Sequence, residues 1–115
     1  MPANKSETKF KDEVKEFLRE NGCYAFKYWG GNKYTVKGIP DLIACIDGVF
    51  HGIELKTDVG VVAKLQAYNI DSILNADGEA YVLRPTRTLK NIHPEYDVPE
   101  LTFEQWKNKY FKGVM

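Results

Sequence analysis

The chain lacks the features of membrane proteins and of secreted disulfide-rich proteins. No apolar run approaches the roughly 18 residues that a bilayer span requires. Two cysteines, Cys23 and Cys45, are too few for a disulfide framework and lack the paired spacing of a zinc site, so we expect both to be buried thiols. The opening residues, MPANKSETKFKDE, contain no apolar segment of the secretory type, so we expect a cytoplasmic protein.

The sequence also lacks a surplus of charge of either sign. Its 16 basic and 16 acidic residues cancel, whereas a domain that grips nucleic acid usually carries a basic excess. A length of 115 residues, of which 43% are hydrophobic and 28% charged, fits one globular domain over residues 1–115. A nucleic-acid function would therefore have to rest on a particular site, because overall charge does not indicate one.

Hydrophobic periodicity and turn residues predict an α/β fold, in which helices flank a mixed, mostly antiparallel sheet. There is no repeat and no linker. The first predicted elements are a helix from Ser6 to Asn21, a strand from Cys23 to Trp29 with 33–36 as a candidate partner, and strands from Asp41 to Ile46 and from Val49 to Lys56. A helix from about Val62 to Asn75, with Leu65, Ile70, Ile73 and Leu74 inward, and a strand from Ala80 to Leu83 follow. A capping-box pattern at Thr102 and Gln105 predicts a closing helix.

The chemistry is suggested by the hairpin that Asp47-Gly48 predicts. Counting equally outward from this turn places Asp41 opposite Glu54, with Cβ atoms about 5 Å apart, and Lys56 on the same face. Two opposed carboxylates repel, so such a site needs a cation between them or a raised pKa on one acid. A divalent metal bound between the two acids would supply that cation. Gly52 either leaves room beside the acids or marks a bulge that would shift this register.

Two further polar residues occupy positions where helical spacing expects apolar ones. Glu7 lies three residues before Phe10, near the middle of the first helix's apolar stripe. Gln66 lies four residues before Ile70 on the inward face of the second helix. Both are expected to point toward the acid pair. Glu7 has an alternative interpretation as the third residue of a capping box begun by Asn4, and Gln66 as a satisfied polar residue at a helix start.

The string GIPDLIACIDGVFHGIELK, which contains Asp41, Glu54 and Lys56, resembles the PD-(D/E)xK nuclease superfamily. With Glu7 on the preceding helix and Gln66 on the following one, the chain looks most like the virus-type replication and repair nuclease (VRR-NUC) domain. The resemblance covers about residues 6–84 and leaves 85–115 as a C-terminal extension. It implies a restriction-endonuclease-like core and a divalent-metal-dependent deoxyribonuclease.

The resemblance also implies a metal site and a role for each residue. Asp41 and Glu54, with the backbone carbonyl of Leu55, would coordinate Mg²⁺ or Mn²⁺, and Glu7 would complete the metal shell through water. Lys56 would orient or deprotonate the attacking water.

Gln66 would hydrogen-bond that water or the scissile phosphate. No nucleotide cofactor is required. The small build resembles Holliday junction resolvases, which implies a homodimer acting on branched DNA, in a bacterial or virus-infected host cell.

Each residue also has an ordinary structural explanation. Taken singly, Asp41 could be a turn residue, and Glu54 with Lys56 could be the exposed face of an edge strand. His51 and His93 are expected to be surface or structural residues. The aromatic residues could stack on bases, although alternating aromatics in a strand usually build a core or an interface; they are Tyr24, Phe26, Tyr28 and Trp29.

Two other function classes remain open. One is a DNA-binding or assembly module that keeps the fold but does not cut, which the intact Asp, Glu and Lys set argues against. The other is a metal-dependent hydrolase of a smaller phosphoester, which the lack of a glycine-rich phosphate loop disfavours.

Overall fold

A computed structural model describes residues 6–28 and 37–111, which form three helices and one mixed sheet of five strands. The elements in chain order are α1 (Glu7–Glu20), β1 (Tyr24–Lys27), β2 (Leu42–Ile46), β3 (Val49–Leu55), α2 (Lys64–Asn75), β4 (Glu79–Arg84), β5 (Glu100–Thr102) and α3 (Phe103–Tyr110). The predicted α/β fold, with helices flanking a mixed sheet, is confirmed. The candidate strand at 33–36 and Trp29 lie outside the described residues.

The strands follow one another across the sheet in chain order. β1 and β2 pair antiparallel, as do β2 and β3, whereas β3 with β4 and β4 with β5 are parallel pairs. The parallel step from β3 to β4 is made through α2, because parallel neighbours need a crossover. β5 was not predicted, since three residues just before a helix carry no strand signal of their own.

Helix α1 begins one residue after its N-cap, Ser6, whose hydroxyl accepts a 3.2 Å hydrogen bond from the Lys9 backbone N–H. Glu7 is therefore the first residue of the helix. The alternative that made Glu7 the third residue of a capping box begun by Asn4 is wrong.

The β2–β3 hairpin turns through Asp47 and Gly48, which both have positive φ, 52° and 80°. Positive φ at both central residues matches the twist of the flanking strands. The ladder runs without a bulge through the pair Ile43 and Gly52, so the predicted register is confirmed.

The sheet has a core on each face. α1 and α3 cover one face, where Phe10, Leu42 and Trp106 are fully buried. α2 covers the other through Ala67 and Ile70. The prediction that Leu65 points inward is wrong: its side chain is 48% exposed, because it lies two residues before Ala67, about 200° around the helix.

The two cysteines are not buried thiols as predicted. Cys23 is half-buried and Cys45 is exposed. Cys45 lies near the hairpin turn on the face that α2 covers elsewhere, and its neighbours in register, Tyr24 and Phe50, are exposed as well. None of the helices in the described ranges is long and apolar enough to cross a bilayer.

A buried arginine ties the C-terminal part of the chain to the segment after β3. The Arg84 guanidinium binds both carboxylate oxygens of Glu100, at 2.8 and 3.1 Å. Its Nη1 donates to the carbonyls of Thr57 and Gly60, each at 2.7 Å. The charge-assisted bonds hold β5 and the 57–60 turn against the end of β4.

A second buried polar network links β3, β4 and α3. The Tyr81 hydroxyl lies 2.7 Å from both Nδ1 of His51 and Nε1 of Trp106. Because an indole N–H only donates, the hydroxyl accepts from Trp106 and donates to His51, which makes the imidazole a neutral acceptor. Burial lowers the pKa of His51 to about 4, despite the nearby carboxylates of Glu79 and Asp47. His51 is thus structural, as predicted.

We expect His51 to make folding sensitive to mild acid. The unfolded state takes up a proton near the ordinary histidine pKa and the folded state only near a pKa of about 4, so falling pH favours unfolding. Between about pH 7.5 and about pH 5 this costs about 2 kcal/mol. Urea unfolding at the two pH values measures how much the free energy of unfolding falls between them. This fall should be about 2 kcal/mol smaller in His51→Gln than in the wild type. Tyr81→Phe, which leaves His51 buried, should retain the wild-type drop. An equal drop in His51→Gln would contradict this account.

Candidate active site

Asp41 and Glu54 meet where the β2–β3 ladder ends. Asp41 directly precedes β2, and the register that pairs Leu42 with Ile53 continues to the pair Asp41 and Glu54. The carboxylate Oδ2 of Asp41 accepts a 3.0 Å hydrogen bond from the backbone N–H of Leu55. The side chain before β2 is therefore fixed to β3, beside Glu54.

Two glycines allow α2 to pack closely against this end of the sheet. Gly38 has φ +82°, and a Cβ there would lie 2.6 Å from Leu65 Cγ and 2.8 Å from the Leu65 carbonyl oxygen. A Cβ at Gly52 would lie 2.7 Å from Ile73 Cδ1 and 3.0 Å from Pro40 Cγ. The space that Gly52 was expected to leave beside the acids is thus filled by packing.

Glu54 is the buried member of the acid pair, with 2% of its surface exposed. Burial raises the pKa of Glu54, and the neighbouring negative charge of Asp41 raises it further, while Lys56 opposes the shift. The Lys56 Nζ atom lies 3.9 Å from Glu54 Oε2. The pair therefore favours a proton or an added cation.

Gln66 binds the acid pair and the start of α2 at once. Its Nε2 donates to Glu54 Oε2 at 3.0 Å, and its Oε1 accepts from the Ala63 backbone N–H at 2.9 Å. Ala63 is the N-cap of α2 and has no side-chain acceptor of its own. The two interpretations offered for Gln66 are both correct, because each end of the amide serves one of them.

Lys56 is held next to Glu54 by a close turn. It follows β3, and its backbone N–H donates to the Leu83 carbonyl at 3.1 Å. A Cβ at Gly60 would lie 3.3 Å from Lys56 Cδ, so the lysine stem packs over that glycine. Arg84 holds the same turn in place by donating hydrogen bonds to the Thr57 and Gly60 carbonyls.

Glu7 reaches the acid pair only through a lysine that sequence reasoning missed. Lys11 Nζ lies 3.2 Å from Glu7 Oε2 and 3.6 Å from Asp41 Oδ1. Burial opposes the charge of Lys11, but the Asp41 and Glu7 carboxylates outweigh this and raise its pKa. A signal for Lys11 was present, since it lies three residues before Val14 and seven before Leu18, at the spacing of the buried face.

The donor set fits a hard divalent cation. Two carboxylates, of Asp41 and Glu54, are held together beside the Leu55 peptide, and oxygen ligands are what Mg²⁺ and Mn²⁺ prefer. In residues 6–28 and 37–111 no cluster gathers three or more acidic, histidine or cysteine ligands. Glu7 is accordingly not placed as a third direct ligand, since its carboxylate contacts Lys11.

A mixed sheet between helices, with Asp41, Glu54 and Lys56 at one end of its central hairpin, defines the class of PD-(D/E)xK nucleases with a restriction-endonuclease-like core. Among protein families, the chain matches the archaeal Holliday junction resolvase (Hjc) family over residues 4–95. The chain belongs to this family. It is therefore a nuclease of the kind that acts on branched DNA.

Searches of curated proteins and of solved structures gave no match. The predicted superfamily is confirmed through the resolvase family, and VRR-NUC specifically is not confirmed. The match extends to residue 95, eleven residues beyond the resemblance seen in the sequence motifs.

We expect Glu54→Gln to stabilise the metal-free protein. The amide keeps an acceptor for Gln66 and needs no proton, whereas the raised pKa of Glu54 makes folding take up a proton at neutral pH. We therefore expect a gain of at least about 1 kcal/mol in chelator. The matched control is Glu100→Gln, which leaves Arg84 buried without its counter-charge and should cost roughly 3 kcal/mol or more. Urea unfolding with chelator measures both. Destabilisation by Glu54→Gln would show that the acid pair is not in conflict.

Proposed function

We propose that the chain is a divalent-metal-dependent endonuclease that hydrolyses phosphodiester bonds in branched DNA such as Holliday junctions. The observation that carries this proposal is the buried contact between Asp41 and Glu54, which lies within reach of the Lys56 ammonium. Without a cation to bind, this repulsive pair would only destabilise the fold. The same residues carry the resemblance to the PD-(D/E)xK motif, and they lie within the stretch, residues 4–95, that matches the resolvase family.

In this proposal Asp41, Glu54 and the Leu55 carbonyl hold Mg²⁺ or Mn²⁺. When bound, the ion would draw charge from the phosphate and make a water molecule more acidic. Asp41 is pre-positioned for this role because its second oxygen is fixed by the Leu55 N–H. Glu7 contributes through water, because Lys11 separates its carboxylate from Asp41.

Lys56 orients the attacking water or takes its proton, and its charge opposes the negative charge that develops on the phosphate. Its side chain is 15% exposed, so it is not sealed off from bound DNA. Gln66 fixes the Glu54 carboxylate through Nε2. Gln66 also hydrogen-bonds the water or the scissile phosphate once DNA is bound.

We further propose that residues 1–115 act as one domain in the cytoplasm, where cellular DNA is accessible. The C-terminal helix α3 supplies Trp106 to the same core as Phe10 of α1, which supports this assignment. The complete Asp, Glu and Lys set argues against a non-cleaving DNA-binding module.

We expect the wild-type protein to cut a synthetic four-way junction with Mg²⁺ or Mn²⁺ and to be inactive with chelator. Asp41→Asn keeps an oxygen acceptor for the Leu55 N–H, so it should fold normally while cutting falls at least about 100-fold. Lys56→Met should lose roughly 100- to 1000-fold. The control Asp12→Asn changes an exposed acid of α1 and should leave cutting unchanged. Gel assays of strand cleavage, with circular dichroism as the folding check, measure these outcomes.

Full activity in chelator or in Asp41→Asn would overturn the metal site. Junction binding without any cleavage would favour the non-cleaving module. Cleavage of a small phosphodiester such as bis-p-nitrophenyl phosphate, without action on any DNA, would favour a hydrolase of smaller phosphoesters.

We also propose that two copies associate through an aromatic patch formed by Tyr24, Phe26, Cys45 and Phe50. Register places Tyr24, Cys45 and Phe50 side by side on one face of the sheet, and Tyr24 is 74% exposed. The patch carries no charged residue, so two copies can meet about a two-fold axis without like-charge repulsion. A junction presents two strands to be cut, which a dimer would reach with two sites.

We expect size-exclusion chromatography with light scattering to give twice the chain mass for the wild type. Tyr24→Glu and Phe26→Glu should give monomers, because burying a carboxylate in a two-fold contact is costly. Ile92→Glu, which alters an exposed apolar residue away from the patch, should remain a dimer. A monomeric wild type, or dimeric patch variants, would contradict the proposed interface.

A further inference from the structure

We propose that Lys11 is a built-in second cation of the active site, so that each site binds one divalent ion and not two. This inference rests on the proposed function and specifies how its metal site is composed.

The position of the ammonium carries the inference. Lys11 Nζ lies between two carboxylates from different elements, Glu7 of α1 and Asp41 before β2, at 3.2 and 3.6 Å. Asp41 thus faces Glu54 on one side and Lys11 on the other. A second metal ion would need the Glu7 and Asp41 carboxylates, and the Lys11 ammonium already contacts both of them.

The burial of Lys11 separates this contact from an ordinary surface ion pair. Its side chain is only 18% exposed, whereas Arg19, which pairs with Glu16 on the same helix, is 71% exposed. A helical pair spaced by four residues needs no partner from another element, yet Lys11 reaches Asp41 as well. The lysine is therefore directed into the site and not along the helix surface.

The count of formal charges leads to the same stoichiometry. When Glu54 is ionised, as a metal ligand must be, the carboxylates of Glu7, Asp41 and Glu54 are opposed by the ammonium groups of Lys11 and Lys56. This leaves a net negative charge, which one divalent ion turns into a net positive charge that suits a singly charged phosphodiester. A second divalent ion would add an uncompensated excess in a partly buried site.

The test is a titration of the full chain with Mn²⁺ alone, without DNA, in which electron paramagnetic resonance counts free and bound ions. We expect one Mn²⁺ per chain for the wild type and for Lys11→Arg, which keeps the charge. Lys11→Gln should bind two, because Glu7 and Asp41 are then free to hold an ion. Glu7→Gln combined with Lys11→Gln should return to one, since the second ion loses a ligand.

Two Mn²⁺ in the wild type, or one in Lys11→Gln, would overturn the inference while leaving the proposed metal site intact. No bound Mn²⁺ in the wild type would overturn both the inference and the proposed function. Circular dichroism checks that each variant folds. If Lys11→Gln is unstable, Lys11→Met replaces it, because methionine keeps the apolar stem packed. This variant should also bind two Mn²⁺ per chain.

Discussion

The active-site end of this protein depends on one unfavourable interaction, the approach of two carboxylates across an antiparallel strand pair. Opposed acids repel, and burial of Glu54 increases the cost because water cannot screen it. The turn at Asp47 and Gly48 fixes the register that imposes this approach. The neighbouring contacts hold the pair in place: the Leu55 N–H secures Asp41, and the Gln66 amide secures Glu54.

The contrast with the other buried polar groups indicates where selection for function acts. Arg84 is fully matched by Glu100 and two carbonyls, and His51 is kept neutral within a closed network with Tyr81. In the described part of the chain no buried side-chain polar atom lacks a partner. The acid pair is hydrogen-bonded too, but its charge is not balanced in the same way. A site that must attract a cation has to retain such an imbalance.

Most of the fold, and the meeting of Asp41 with Glu54, could be predicted because both follow from local rules. A tight turn and a period of two fix the hairpin register, and a period of 3.6 fixes which side of a helix is buried. Most of what failed depends on distant packing. β5 forms only because β4 is already beside it, and Cys45 is exposed because α2 does not extend over the hairpin tip. Leu65 is exposed for a local reason, its position about 200° around the helix from Ala67. Lys11 was missed because its partner Asp41 is distant in sequence.

The Arg84 anchor gives the C-terminal segment a part in the chemistry that its sequence does not reveal. The family match ends at residue 95, yet Glu100, beyond that limit, neutralises the arginine on which the turn after Lys56 rests. In this chain, a buried side chain within the matched stretch, Arg84, therefore depends on an acid that lies outside it. The tail and the turn after Lys56 are coupled through one guanidinium, so a change at Glu100 would be felt at that turn.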